Sequence, residues 1–201
     1  MSSTLQLKIE IVDSKPLIWR SIQLTDDYRM DRFHQVIQIA MGWQNYHLHE
    51  FRIKNRDIGM PNPDALAMAG FPNPEEESKV YLREFDLQIG DTFKYLYDFG
   101  DDWEHLIRVE DVSKQQVENP ICIAGKRACP PEDSGGIWGY MDMLEAVKDK
   151  KHPEHQMYRQ WLSPDFREDF FPIDVVNLEL KEFGKWHRKH PRKKSTPWHM
   201  I

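Results

Sequence analysis

Several things are scarce in this chain of 201 residues. Cysteine occurs only at Cys122 and Cys129, too few for a disulfide scaffold at this length. The pair reads as free thiols, with a metal role as the alternative. No apolar run approaches the roughly 18 residues of a membrane span, which predicts a soluble protein with no membrane partner. The opening MSSTLQLKIEIV alternates polar with apolar residues and lacks the basic region and apolar block of a secretory leader, so a cytoplasmic location is expected. Nor is there a spacing as diagnostic as HExxH, which would have assigned a metalloprotease outright.

What is present bounds the architecture. A chain of this length buries one good core and seldom two. Net charge is −6, yet residues 181–201 hold seven Lys or Arg against one Glu, so the first 180 residues total about −12. We therefore expect a single domain over 1–180 and a basic, flexible tail over 181–201.

Periodicity predicts the elements. Leu5, Leu7, Ile9 and Ile11 alternate with polar residues as in a half-buried strand, and LIWRSIQL follows a turn at Asp13–Pro16 to complete an N-terminal hairpin. Met30, Phe33, Val36, Ile37, Ala40 and Met41 recur at helical spacing before Gly42, which predicts an amphipathic helix with a glycine C-cap. HLHEFRIK is strand-like, with His47, His49, Phe51 and Ile53 on one face. The Pro- and Asn-rich stretch 55–77 reads as a flap or an insertion, and VYLREFDL as a short strand. TFKYLYDF and WEHLIRVEDV form a hairpin whose bend is expected to need Gly100. PICIAGKRACPPEDSGGIWGY reads as irregular, and helices are predicted in IWGYMDMLEAVKD, HPEHQMYRQWL and IDVVNLELKEFGKW. The predicted class is α+β: an antiparallel sheet with an N-terminal hairpin and one packed helix, followed by a helical C-terminal third.

Five ordered motifs, PLIWR (16–20), AMGW (40–43), HLHEF (47–51), YDFGDDWEH (97–105) and PPEDSGG with Gly139–Tyr140, resemble the plasmid Orf-three-like family, whose members are also labelled transposon-passenger proteins of TnpR type. The resemblance covers about Leu5 to Asn177. It implies an association with mobile DNA and no particular reaction. No N-terminal segment sets a nucleophilic serine among arginines, so recombinase activity is not carried over.

YDFGDDWEH holds four carboxylates and one imidazole in nine residues. Crowded carboxylates repel one another and persist by binding a cation, capping backbone donors or pointing separately into water. The candidate site is Asp98, Asp101, Asp102, Glu104 and His105, joined by Glu132 and Asp133 of PPED. A divalent metal would draw on His47, His49, Asp101, His105 and Glu132, since mixed imidazole and carboxylate ligands suit zinc, manganese, iron or nickel. In the competing reading Asp98 and Asp101 satisfy turn amides while Trp103 and His105 are core residues. Ser134–Gly136 reads as a tight turn against the opening hairpin rather than an anion site. Three functions follow: a binding or accessory module whose acidic groove receives a basic protein or peptide, a metal-dependent hydrolase, or a nucleic-acid binder acting through the 181–201 tail.

Overall fold

The computed structural model describes residues 2–61 and 73–190. One mixed sheet runs in the order β5-β4-β3-β6-β7-β1-β2-β8. Its strands are β1 (Thr4–Ile11), β2 (Trp19–Thr25), β3 (His49–Ile53), β4 (Arg56–Gly59), β5 (Glu75–Glu76), β6 (Thr92–Tyr97), β7 (Trp103–Ser113) and β8 (Ile121–Lys126). Every neighbouring pair is antiparallel except β4 with β5. Helices α1 (Met30–Met41), α2 (Gly136–Lys148), α3 (His155–Trp161) and α4 (Ile173–Lys189) complete the fold. The protein is thus mixed α and β with a mostly antiparallel sheet. The last third is not uniformly helical, because residues 149–154 and 162–172, turns and irregular backbone, separate α2, α3 and α4. Among the described residues no helix is long and apolar enough to cross a membrane.

Alternation of apolar side chains builds the core. Leu5, Leu7, Ile9 and Ile11 of β1, Phe93, Tyr95 and Tyr97 of β6, and Trp103, Ile107 and Val109 of β7 are all buried. Helix α1 ends as its sequence demands, with Gly42 at φ 95° and its N–H bonded to the Gln38 carbonyl. All twelve of its residues are buried, the polar face included. Other elements cover that face: the Arg32 guanidinium lies 4.1 Å from the centre of the Trp186 ring of α4, and Met30 N–H donates to Val80 O of the segment before β6.

Five local expectations are revised. The stretch after residue 55 opens with β4, which turns back on β3 through Lys54 and Asn55 at φ 46° and 65°; residues 62–72 of that stretch lie outside the described residues. VYLREFDL is not a strand: Leu82–Phe85 is a 3-10 helix. PICIAGK, expected to be irregular, contains the edge strand β8, whose signal is weak because Ile121 and Ile123 are exposed and only Cys122 is fully buried. At the β6–β7 bend Gly100 is not in the left-handed region; Asp98 and Asp102 are, at φ 56° and 57°. Carboxylate side chains tolerate that conformation because they can bond locally, and Asp98 Oδ1 accepts the Gly100 N–H at 2.9 Å. In the basic tail, Lys181 to Lys189 belong to α4 rather than to a flexible segment, and 191–201 lie outside the described residues.

Buried Arg20 ties the ends of several elements together. Its guanidinium donates to Ala40 O at the end of α1, to Trp19 O, and to Lys126 O and Arg127 O at the end of β8, all within 2.8–2.9 Å. Phe171 packs over it at 3.8 Å. A lysine has neither the planar fork nor the donor count to serve four carbonyls at once. We expect Arg20→Lys to cost about 3 kcal/mol, lowering Tm by roughly 10 °C in calorimetry.

Acid sensitivity follows from the buried imidazoles. Burial pushes His34 and His49 down to about 3 and His105 to about 4, so between pH 6.5 and about 4 the unfolded chain binds protons that the folded chain refuses. Stability is present above the unfolded value and is lost as pH falls, by up to roughly 1.4 kcal/mol per pH unit for each histidine. Burial pushes the Glu77 carboxyl up to about 7, which removes stability in the opposite sense as pH rises through that value. Melting temperature should therefore fall steeply from about pH 7 to pH 5 and level off above pH 7, because three histidines outweigh the one opposing carboxyl, and a flat profile between pH 7 and 5 would contradict the neutral-imidazole core.

Candidate metal pocket

One end of the sheet brings together three stretches far apart in sequence, the α1–β3 loop (42–48) with the end of α1 that leads into it, the β6–β7 bend (98–102) and the β8–α2 loop (127–134); Arg20 ties the end of α1 to the start of the β8–α2 loop. Trp43 Nε1 donates to Pro130 O at 2.9 Å, and Trp43 stacks on Tyr97 with ring centres 4.9 Å apart. The indole therefore spans from the sheet to the PPED loop.

At this junction His47 Nε2 lies 3.6 Å from Asp98 Oδ2, 3.8 Å from Glu132 Oε2 and 3.4 Å from Asp133 Oδ1. One ligand atom from each of His47, Asp98 and Asp133 fits within a set whose members all lie within 4.8 Å of one another. These separations are too long for hydrogen bonds; those to Asp98 and Asp133 match the spacing of about 3.0–3.6 Å between ligands that share a cation at 2.0–2.2 Å, and Glu132 at 3.8 Å stands just beyond it. His47 Nε2 and Glu132 Oε2 are buried atoms with no hydrogen-bond partner. A buried polar atom left without a hydrogen bond is costly, and here two such atoms face one gap.

Glu132 is held from its other oxygen. Oε1 accepts the Gln44 N–H at 2.8 Å and the Tyr97 hydroxyl at 3.0 Å, and Tyr97 Oη accepts the Tyr46 N–H at 3.1 Å. Burial pushes the Glu132 carboxyl above the usual carboxylate range, which those two donors partly offset. Burial likewise raises the Tyr97 phenol, with the Glu132 charge adding to the effect.

The remaining candidates stand elsewhere. Asp101 Oδ2 accepts the Gly135 N–H at 3.0 Å, which docks the bend on the start of α2. Gly136, at φ 68°, packs so closely that a Cβ there would sit 2.3 Å from Asp101 O, so the glycines do permit a tight approach. Asp102 N–H donates to Asp98 O at 2.7 Å within the bend, and Glu104 pairs with Lys94 at 2.7 Å on the exposed face. His105 is fully buried, donates from Nδ1 to Trp103 O at 2.9 Å and lies edge-on to Trp43. His49 points into the core and pairs with Glu77 at 2.5 Å. Of the five residues proposed as metal ligands, His47 and Glu132 meet, while His49, Asp101 and His105 do not join them. Asp98 and Asp133 stand beside His47 instead, at 3.6 and 3.4 Å. Sequence alternation put His47 and His49 on one face, but His47 precedes β3 and the strand rule does not govern it.

Beside the pocket runs a groove of about 560 Å³ lined by Trp43, Tyr46, Glu132, Asp133, Trp161 and Phe170 among others. Tyr46, Trp161 and Phe170 are exposed there. Aromatic faces with carboxylates at one edge offer both stacking and charge to a ligand.

The chain matches the family model described as plasmid pRiA4b ORF-3-like protein over residues 3–175. It is 36% identical over 197 residues to the uncharacterized protein y4hQ of Sinorhizobium fredii, covering 96% of this chain and 99% of that protein. The crystal structure of the protein of unknown function MM3350 from Methanosarcina mazei Go1 superposes with a TM-score of 0.75 at 37% identity, covering 87% of this chain and 97% of that one. By a family match over most of its length and by these two full-length relatives, this chain belongs to the plasmid pRiA4b ORF-3-like family.

Proposed function

We propose that the protein is a binding module whose acidic pocket takes a divalent transition-metal ion through His47, Asp98, Glu132 and Asp133 and presents it to a ligand in the adjoining aromatic groove. The observation that carries this reading is the pair of unpartnered buried atoms, His47 Nε2 and Glu132 Oε2, facing each other at 3.8 Å beside two further carboxylates. One imidazole with carboxylate oxygens favours zinc, manganese, iron or nickel over calcium; four ligands would close a tetrahedral zinc, whereas six-coordinate manganese, iron or nickel would keep positions for water or ligand. Two free cysteines, one of them fully buried, fit a reducing cytoplasmic setting.

Two other readings meet particular observations. A hydrolase gains support from the Glu132 carboxyl, raised by burial next to the cation position, where it could accept a proton from metal-bound water. A basic peptide would offer a lysine ammonium to the same carboxylates in place of the metal, and the exposed Asp133 lies on its approach. For nucleic acid, Lys185 pairs with Glu182 and Arg188 with Glu118, so α4 offers phosphate fewer charges than the sequence count implies.

Titration of EDTA-treated protein with zinc and manganese should give one site per chain. Saturation at about 100 times the Kd should stabilise the fold by roughly 2.7 kcal/mol. His47→Ala and Asp133→Ala should abolish that shift, while Asp101→Asn should retain it. An unmoved melting temperature with zinc, manganese and nickel would overturn the metal reading, and binding of a lysine-rich peptide by the same metal-insensitive protein would favour the basic-partner reading instead. Turnover of ester or phosphodiester substrates by the metal-loaded form, lost in Glu132→Gln with the metal still bound, would establish the hydrolase.

A further inference from the structure

We infer that Gln38, Tyr95, His34 and Asn45 form a closed hydrogen-bond ring beneath α1 that positions His47, and that these four are positioning residues of the metal pocket without touching it. The inference rests on the metal reading for its functional meaning, although the ring itself stands on separate contacts.

The bonds run in one consistent sense. Gln38 Nε2 donates to the Tyr95 hydroxyl at 3.0 Å. That hydroxyl donates its own proton to His34 Nδ1 at 2.8 Å, and His34 Nε2 donates to Asn45 Oδ1 at 2.7 Å. Asn45 N–H closes the circuit on Gln38 Oε1 at 3.0 Å. Asn45 Oδ1 can only accept, which fixes the His34 proton on Nε2 and leaves Nδ1 free to accept from Tyr95. Only a neutral imidazole fits, because a proton on both nitrogens would leave the Tyr95 hydroxyl proton without an acceptor. The His34 plane is held by a face-to-face stack on His49, with centres 3.4 Å apart and planes 1° from parallel, and His49 is in turn anchored by Glu77. His34, Gln38 and Tyr95 are all buried.

The ring acts on the loop that presents His47. Three successive amides of that loop donate to side chains on three different elements: Gln44 N–H to Glu132, Asn45 N–H to Gln38 and Tyr46 N–H to Tyr97. Glu132 and Tyr97 belong to the pocket or border it, so only the Asn45 anchor is independent of the pocket's own residues. Asn45 also takes φ 57°, a left-handed conformation that asparagine tolerates and most residues resist. A loop tied at three consecutive amides cannot drift, and a ligand imidazole two residues beyond Asn45 inherits that placement. Groups that orient a metal-binding residue from behind commonly change affinity 10–100-fold when removed.

The test uses the full chain with two mild variants and a rescue. Asn45→Gly keeps the left-handed backbone but removes the side-chain oxygen that His34 holds, so of the two bonds by which the ring grips Asn45 only the amide bond to Gln38 is left. Tyr95→Phe removes one hydroxyl at nearly constant volume. His34→Gln supplies an amide oxygen toward Tyr95 and an N–H toward Asn45. In metal-free protein, amide hydrogen exchange at residues 44–47 should quicken at least 10-fold in the first two variants and stay near wild type in the third, with β6 and β7 unchanged. Cobalt titration should show affinity about 10-fold or more weaker in the first two, with altered visible absorption bands. Unchanged exchange at 44–47 in both Asn45→Gly and Tyr95→Phe overturns the inference. So does uniform loss of protection across the sheet, which would assign the ring to core stability alone. If wild type takes up no cobalt, the metal reading fails while the exchange result still decides whether the ring holds the loop.

Discussion

The guanidinium of Arg20 is the contact on which the functional end of the molecule depends. It is fully buried and is compensated by four backbone carbonyls rather than by a carboxylate. One of those carbonyls, Ala40 O, lies in the last turn of α1, where the helix dipole concentrates negative charge. Two others, on Lys126 and Arg127, lie where β8 gives way to the loop that carries Glu132 and Asp133. A single cation thereby sets the distance between the helix end that leads to His47 and the loop that supplies two of its acidic neighbours. Trp43 repeats the connection one layer further out through Pro130.

Beneath that frame the chain buries an unusual share of polar groups around α1. Arg29 pairs with Asp31, His34 and Gln38 join Tyr95 and Asn45, and His49 meets Glu77. Buried polar atoms are tolerated only when paired, and a satisfied network selects one arrangement over near alternatives. In the neighbouring pocket His47 Nε2 and Glu132 Oε2 face each other at 3.8 Å without a hydrogen bond, and a few other buried atoms of the core, such as Trp103 Nε1 and His105 Nε2, also lack one.

How much of this is open to sequence reasoning differs by residue. Strands β1, β2, β6 and β7 are evident because strict alternation of large apolar residues with polar ones is the pattern of a half-buried strand and of little else, and α1 is evident from its spacing and its glycine stop. β8 escapes because an edge strand with one fully buried side chain gives no alternation, and the 3-10 turn at Leu82–Phe85 escapes because a run of mixed residues with Val80 and Tyr81 before it mimics a strand. The left-handed residues at the bend are expected at Gly100 and occur at the flanking aspartates, since a side chain that bonds to Gly100 N–H offsets the cost that favours glycine. Within the site, Asp98, Glu132, Asp133 and His47 all stand out in the sequence. Their grouping does not, because His49 and His105 offer equally good chemistry and periodicity cannot show that both imidazoles face the core.

By itself the sequence determined the chemistry on offer: an acidic body, carboxylates crowded at one bend, histidines next to β3, and five ordered motifs that mark the family. Those follow from residue type and local spacing, which the chain states directly. The tertiary structure alone decided which groups meet. Glu132 lies 85 residues from His47 in the chain, and its approach depends on Arg20, on Trp43 and on the register of β6 against β7 and β3. Such long-range contacts arise from the simultaneous packing of many side chains, so no short window of sequence contains them.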